Sequence, residues 1–317
     1  MLLNHPFSVE KSAYGVFNHA NNIALQGEVC FGHCFVADYD GNIQSVAQLI
    51  ALIDGLFFLN PYIKHVQLPK SIWHTSTAWQ AFIRAFHTES FSRLEFYTHP
   101  INGLNETKRP FFNGTYSERA CPQRLINLTG EVYRRFDYEL GQFISFKVAD
   151  PSADLGLFYQ WMHDPRVSEF WEMDQPKETL KRYLADKLTT PYHLPLIGYF
   201  NDVPFGYFEV YWASEDRIAP YYPWQAHDRG LHLLVGNDAF RGTRFFKAWC
   251  KAITHFMFLD CPHTQKIVLE PRYDNQRLLN QITKLGFIKE YEFEFPHKRA
   301  ALISIEKVKF YKENFQC

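Results

Sequence analysis

Apolar positions recur along this chain of 317 residues in two periods, and their order predicts an α/β protein. Residues 230–236, Gly-Leu-His-Leu-Leu-Val-Gly, form a short apolar run closed at both ends by glycine, the pattern of a strand buried in a sheet. One titratable side chain interrupts it. Side chains alternate across a strand, so His232 shares a face with Leu234, while Leu231, Leu233 and Val235 point the other way. A polar turn through Asn237, Asp238, Arg241, Gly242 and Thr243 leads into residues 245–258, a helix-length stretch rich in aromatic and apolar positions. The N–H groups of a first helical turn lack intrahelical partners and sit at the positive end of the helix dipole. This strand, turn and helix can therefore hold a phosphate, with Arg241 and Arg244 adding charge. The same residues equally suit an ordinary strand-to-helix connection with a buried histidine hydrogen-bonded to backbone.

Upstream, residues 28–36 read as a strand, 64–68 as a second and 93–97 as a third. Between them 43–59 reads as a helix, with Val46, Leu49, Ile50, Ile53 and Leu56 on one stripe, and 75–86 as another. That order predicts an α/β layer, which suits a degenerate copy of the second domain, although no repeated residues support one. Residues 98–123, dense in proline and Asn-Gly pairs, read as a loop that ends the first domain. The expected organisation is an N-terminal α/β domain over residues 1–140, of unassigned role, and a second domain over 141–317.

The second domain begins with a strand at 143–149, a helix at 154–164 that stops before Pro165, and a helix at 178–188. Strands at 194–200 and 205–212 are joined by the turn Asn201-Asp202-Val203-Pro204, a hairpin by pattern. Alternation puts Tyr207, Glu209 and Tyr211 on one face. A carboxylate among aromatic rings is either paired within the sheet or turned to a cavity. A strand at 266–269 then runs into the polar turn Glu270-Pro271-Arg272-Tyr273-Asp274-Asn275 and a helix reaching Leu285. Asp274 or Asn275 is its N-cap, and Gly286 its left-handed stop. Residues 288–295 and 299–305 read as two closing strands and 307–317 as a polar tail.

Composition narrows the classes. A chain of this length suits two domains, and 46% hydrophobic residues suffice for their cores. Formal net charge of -1 gives no electrostatic footprint for nucleic acid. No apolar run approaches the roughly 18 residues of a membrane helix, and residues 1–15 lack the basic-then-apolar order of a secretory signal. A cytoplasmic protein without membrane or nucleic-acid partners is expected. The six cysteines are scattered; Cys30 and Cys34 flank His33, but no second ligand pair stands at zinc-like spacing. They read as free thiols, as in a reducing compartment, and no metal is expected.

Two strand-to-helix units in succession, the second ending in Lys284-Leu285-Gly286-Phe287, resemble the acyl-CoA-binding half of the Gcn5-related N-acetyltransferase fold. His163-Asp164-Pro165-Arg166-Val167 with Phe170-Trp171-Glu172 narrows the match. So do Gly206-Tyr207-Phe208-Glu209-Val210-Tyr211, Asp228-Arg229-Gly230-Leu231-His232, Phe240-Arg241-Gly242 and Glu270-Pro271-Arg272. Over roughly residues 140–310 they resemble the siderophore-biosynthesis branch, the group that contains N6-hydroxylysine acetyltransferases. The resemblance implies a mixed, splayed central sheet flanked by helices, with the additional N-terminal α/β domain. It implies that acyl-CoA lies between two splayed parallel strands, against Leu234, Val235, Gly236 and Asn275, with its pyrophosphate at Arg241, Gly242 and Thr243. Arg244 and Phe246 stand where the general fold has further glycines. The branch's catalytic histidine corresponds to His232. Its acidic partner follows the Glu-Pro element, where Arg272 stands at one possible place of an aspartate and Asp274 is the nearest acid. Trp171, Glu209, Tyr211 and Arg217 would meet the acceptor.

The chemistry implied is acyl transfer from acetyl-CoA, as co-substrate, to the hydroxylamine nitrogen of N6-hydroxylysine or a similar N-hydroxy diamine. The product is a hydroxamate for siderophore biosynthesis, in company with other enzymes of that pathway. A histidine with a pKa near 6.5 suits acceptance of the proton that the attacking nitrogen must lose, and an N–H near Val235 suits the oxyanion. Succinyl transfer would need a cation at the pocket end, such as Arg217 or Arg272. Cys250 and Cys261 lie away from this apex and read as structural. Acetylation of an ordinary amine, or a non-catalytic CoA-binding partner of a synthetase, are the alternatives.

Overall fold

The computed structural model describes residues 9–12, 15–18, 23–30, 32–40, 45–68, 77–86, 88–104, 123 and 128–317, and the chain divides into two units. Met1–Asn102 with Phe315–Cys317 make the first, Gly103–Asn314 the second. Most of the loop expected over 98–123, the first residues of both upstream helices, Cys121 and the Cys30 side chain lie outside the described residues.

In the first unit, β1 (Val9–Ser12), β2 (Gly15–Asn18), β3 (Ile23–Cys30) and β4 (His33–Asp40) form an antiparallel meander. Helix α1 (Val46–Leu59) then returns the chain to β5 (His65–Gln67), parallel to β4, and α2 (Thr77–Phe86) leads to β6 (Ser90–Ser92), antiparallel to β5. The single strand expected over 28–36 is thus two, folded back at Gly32 with φ +81°. The strand expected over 93–97 is instead a helix, α3 (Arg93–Thr98). A capping box overrides its apolar alternation: Ser92 Oγ accepts from Glu95 N at 3.1 Å, and Ser92 N donates to Glu95 Oε2 at 2.6 Å.

In the second unit β7 (Gly130–Asp137) and β8 (Gln142–Val148) precede three helices: α4 (Leu155–Met162), α5 (Pro165–Trp171) and α6 (Lys177–Thr189). Strands β9 (His193–Phe200), β10 (Val203–Trp212) and β11 (Arg229–Val235) lead into α7 (Thr243–Asp260), then β12 (Lys266–Leu269), α8 (Gln276–Ile282), β13 (Ile288–Glu294) and β14 (Arg299–Glu306). The sheet runs β13-β14-β12-β11-β10-β9-β8-β7. The first unit repeats the same sequence of moves, a meander into a strand, a helix, a parallel strand and a helix, without repeating its residues.

The hairpin, the Asn275 cap and the Gly286 stop stand where the residues predicted them, the last with φ +93°. Two elements differ. β7 carries Arg134 and Arg135 at its centre and shifts register between Glu131 and Tyr133, so its apolar positions do not alternate cleanly. Because it pairs with β8, the unit boundary falls at Asn102, upstream of the residue 140 expected from the loop. Residues 307–317 contain a helix, α9 (Lys307–Phe315), rather than a polar tail; Phe310 and Tyr311 are buried, Phe310 against Phe258 at 5.4 Å between centroids. Among the described residues no helix is long and apolar enough to cross a membrane.

β11 pairs with β10 along its whole length but with β12 only at Arg229↔Ile267 and Gly230↔Val268. Beyond Gly230 the two parallel strands part. Trp171, not β12, takes up the Leu233 carbonyl, its Nε1 donating at 3.3 Å. The foot of β11 is fixed to the end of α7 by a fully buried ion pair, Arg229 Nη1 to Asp260 Oδ2 at 2.8 Å, with a second bond from Nη1 to the Met257 carbonyl. Removing one partner of a buried pair leaves a charge in a low dielectric. Arg229→Met is therefore expected to lower the unfolding free energy by about 3–5 kcal/mol in urea denaturation, and a change within about 1 kcal/mol would show that the pair does not anchor the strand.

Candidate active site

The register of three neighbouring strands assembles the site. Antiparallel pairing sets Glu209 of β10 opposite His232 of β11. The parallel register between β11 and β12, carried two residues past Gly230↔Val268, brings the residue after β12, Glu270, level with His232 from the other side. His232 consequently lies between two carboxylates, Nδ1 at 3.2 Å from Glu209 Oε2 and Nε2 at 2.7 Å from Glu270 Oε1.

Each carboxylate has further donors. Glu209 Oε1 accepts from Tyr207 at 2.9 Å and from the Tyr183 hydroxyl, and its Oε2 lies 3.2 Å from Lys187 Nζ. Tyr211 donates to Glu270 Oε2 at 2.9 Å, and Arg217 Nη2 lies 3.6 Å from Glu270 Oε1. The ring of Tyr211 lies where a side chain on Gly230 would be, so a Cβ there would stand 2.0 Å from it. Glycine at 230 is a condition of this tyrosine's position.

Burial alone would weaken the imidazolium, but the Glu270 charge and hydrogen bonds to Glu209 and Glu270 push His232 up to about 9. Burial raises both carboxylates, and their contacts with His232 and the nearby cations outweigh it, holding them well below the usual carboxylate range. Near neutral pH the cluster is an imidazolium between two carboxylates. The free-histidine value assumed from sequence is thus replaced by one set by two neighbours.

The site opens into a groove of about 860 Å³ that follows the gap between β11 and β12. Of the predicted residues, Trp171, Glu209, Arg217, His232, Leu234, Val235, Arg241, Gly242 and Asn275 line it. Tyr211, Gly236, Thr243 and Asp274 are not on its wall. Tyr211 acts from behind, through Glu270. Gly236 donates its N–H to the Phe205 carbonyl at 3.0 Å, and a Cβ there would stand 2.1 Å from the Trp161 ring, so packing and not a ligand explains this glycine. Leu234 buries its side chain in a core cluster with Trp161 and Tyr207.

Gly242 is the N-cap of α7 at φ +104° and ψ 165°, a conformation open essentially to glycine, with nothing within 4 Å of an added Cβ. Thr243 is the first residue of that helix. Arg241 reaches Asp238 at 3.1 Å, whereas Arg244 turns to the Glu139 carbonyl at 3.3 Å and does not line the groove.

Asp274 is exposed and bonded to Arg272 at 2.6 Å, which holds it below its ordinary value. It makes no contact with His232; the acid there is Glu270. Sequence reasoning missed Glu270, Tyr183 and Lys187. The available signal was register: His232 and Glu270 each lie two residues past the last paired positions, Gly230 and Val268.

Asp216, His232 and Glu270 bring one potential metal-ligand atom each within 4.8 Å of one another. Both nitrogens of His232 lie within hydrogen-bonding distance of carboxylates, and Asp216 Oδ2 lies 3.6 Å from His193 Nε2. Cys34, Cys250 and Cys261 are free and buried, and burial pushes Cys34 up to about 11 and Cys250 up to about 12, as for inert structural thiols.

Comparison with known proteins bears out the resemblance drawn from the motifs. The model of the acetyltransferase (GNAT) domain matches residues 150–295. An N(6)-hydroxylysine O-acetyltransferase of Escherichia coli is 38% identical over 264 residues, covering 82% of this chain and 84% of that protein. An N(5)-hydroxyornithine:cis-anhydromevalonyl coenzyme A-N(5)-transacylase of Beauveria bassiana is 37% identical over 183 residues, 57% of this chain but only 40% of that longer protein. Among solved structures, an uncharacterized protein of Bacillus halodurans shares 32% identity over 58% of this chain and 93% of its own, with a TM-score of 0.55. With the splayed parallel pair, the strand histidine and these relatives in agreement, the chain belongs to the GNAT acetyltransferase family, in the branch of its hydroxylysine and hydroxyornithine acyltransferases.

Proposed function

We propose that this chain transfers an acyl group, acetyl in the simplest case, from acyl-CoA to the hydroxylamine nitrogen of N6-hydroxylysine or a similar N-hydroxy amine, giving a hydroxamate for siderophore biosynthesis. The observation that carries this reading is the imidazolium of His232 held between Glu209 and Glu270 beside the opening between β11 and β12. Acyl-CoA fits that opening, with its pyrophosphate toward Arg241, Gly242 and the first turn of α7, where helical N–H groups are unpaired. The Leu233 carbonyl is turned into the gap, toward Trp171, so by alternation the N–H of Val235 points there too. That N–H is the donor for the thioester oxygen.

An N-hydroxy amine arrives neutral, and its nitrogen attacks the thioester carbon. The proton it loses goes to the Glu270 carboxylate. Protonated Glu270 loosens its hold on Nε2–H, and His232 gives that proton to the departing sulfur as the C–S bond breaks. Glu270 then returns its proton to His232 across their 2.7 Å contact, which restores the resting site. Because the Glu270 charge is the largest influence raising His232, protonating Glu270 weakens the ring's hold on its proton and favours its passage to the thiolate. Glu209, with Tyr183, Tyr207 and Lys187 behind it, fixes the ring and is a positioning residue rather than a partner of the acceptor hydroxyl.

His232→Ala is expected to lower kcat by roughly 10²-fold or more, with acetyl-CoA affinity nearly unchanged in calorimetry. His232→Gln, which keeps a donor and most of the volume, checks that the loss is not unfolding. Near-wild-type turnover in either variant would make the histidine a packing residue.

The pH profile has a definite sign. A group that must be protonated to act loses activity as the medium rises through its own value, so kcat/KM should fall above about pH 9. Since the folded value is raised above about 6.5, the imidazolium also stabilises the fold fully below that pH and ceases to do so as pH rises through about 9. A rate that climbs through this range would assign His232 as a neutral base.

Acceptor choice tests the reaction itself. A lysine ε-amine, with a pKa of about 10.4, is almost wholly protonated near neutral pH, and the Glu209 and Glu270 carboxylates, held well below their usual range, are poor acceptors for that proton. N6-hydroxylysine should therefore exceed lysine in kcat/KM by at least about 10²-fold, and the product should be an N-acyl hydroxamate that binds ferric iron. Equal rates, or an O-acyl product, would refute the proposed reaction.

A further inference from the structure

Beside Glu270 the groove wall carries two cations that the transfer step does not use. Arg217, half-exposed, places Nη2 at 3.6 Å from Glu270 Oε1, and Lys298, half-buried, donates to the Glu270 backbone carbonyl at 2.7 Å. Both lie over the Phe295 ring, at 5.7 Å and 5.5 Å from its centroid. Burial and the Arg217 charge work against the Lys298 ammonium while the Glu270 and Asp216 charges favour it, and His297 next to it is held below its ordinary value by burial and by these two cations. Two like charges are thus kept together at the edge of a solvent-open groove.

The nearby anions leave them undercompensated. Glu209 has Lys187 at 3.2 Å, and Glu270 has the His232 imidazolium at 2.7 Å. Asp216 is the further carboxylate felt by both His232 and Lys298. Glu172 lines the groove within the field of Arg272. Among the described residues of this part of the wall, four cations, Lys187, His232, Arg217 and Lys298, share three carboxylates, Glu209, Glu270 and Asp216. A guanidinium 3.6 Å from Glu270 on one side and open to the groove on the other can hold an anion beside the reaction site.

We propose that Arg217 and Lys298 form a subsite for a carboxylate carried by one of the two substrates, so that the enzyme selects an acceptor that keeps its amino-acid carboxylate over the corresponding decarboxylated diamine. This rests on the reading of the site as an N-hydroxy amine acyltransferase. A dicarboxylic acyl group on the CoA donor is the other source of the same chemistry, and the test separates them.

The experiment measures kcat/KM for N6-hydroxylysine and N-hydroxycadaverine with acetyl-CoA, and for succinyl-CoA and acetyl-CoA with N-hydroxycadaverine, in the wild type, Arg217→Met, Arg217→Lys and Lys298→Met. The wild type should favour the carboxylated acceptor by at least roughly 10-fold. Arg217→Met should bring that ratio near one, chiefly through KM for N6-hydroxylysine, and Arg217→Lys should restore part of it. A collapse in the succinyl-to-acetyl ratio instead assigns the carboxylate to the acyl group and keeps the subsite. No wild-type preference for a carboxylate on either substrate, or variants that depress both members of each pair equally, would overturn it, since the cations would then only hold Glu270. Calorimetric titration of the CoA-saturated protein with each acceptor reads the same ratio without turnover. Preferential binding without turnover refutes the proposed reaction and retains the subsite; equal or absent binding of the acceptors, together with no preference between the acyl donors, refutes the subsite.

Discussion

Two carboxylates can be buried side by side in one sheet here because a protonated histidine lies between them, and much of the site's construction follows from that arrangement. Glu209 comes from β10 and Glu270 from the turn after β12, and neither is exposed enough for water to solvate its charge. His232 supplies a proton to each, and the remaining lone pairs require Tyr183, Tyr207 and Tyr211. The last of these in turn requires glycine at 230, since its ring fills the space a side chain would take. A chain of constraints therefore runs from charge burial to a glycine opposite Tyr211. A partly satisfied network of this kind would be worse than an apolar core.

The same strand that carries the histidine also makes the groove. β11 is paired on one edge throughout and abandoned by β12 on the other after two residues, which leaves backbone groups turned into open space. Trp171 takes one of them. A ligand that lies along this edge can complete the sheet with its own amides, and the first turn of α7 stands at the end of the same strand. Binding and chemistry are neighbours because one element's two edges and one face serve both. The buried Arg229–Asp260 pair ties the foot of that element to the far end of α7, the helix whose N-terminus opens on the groove.

What the amino-acid sequence determined by itself was local. The period of two placed His232, Leu234, Tyr207, Glu209 and Tyr211 on their faces, a proline ended α4 before α5, Asn275 capped α8, and Gly286 closed the turn after it. These depend on a few adjacent residues, whose sterics and hydrogen bonds are the same wherever the chain goes. Local pattern failed where a competing local device won, as at the Ser92 capping box, or where apolar residues were interleaved with charge, as in β7 and α9.

The tertiary structure alone decided the partners. Linear spacing after the Glu-Pro element pointed to Asp274, but the acid beside His232 is Glu270, 38 residues away, because strand register and not sequence distance sets who stands level with whom. The resemblance set Gly236 against acyl-CoA, yet packing against Trp161 accounts for that glycine. The histidine's proton affinity belongs to the same class. Nothing in residues 230–236 encodes a value near 9; it arises when folding brings two carboxylates from other segments within hydrogen-bonding distance in a poorly solvated site, and charge interactions of that strength exist only once the sheet has formed.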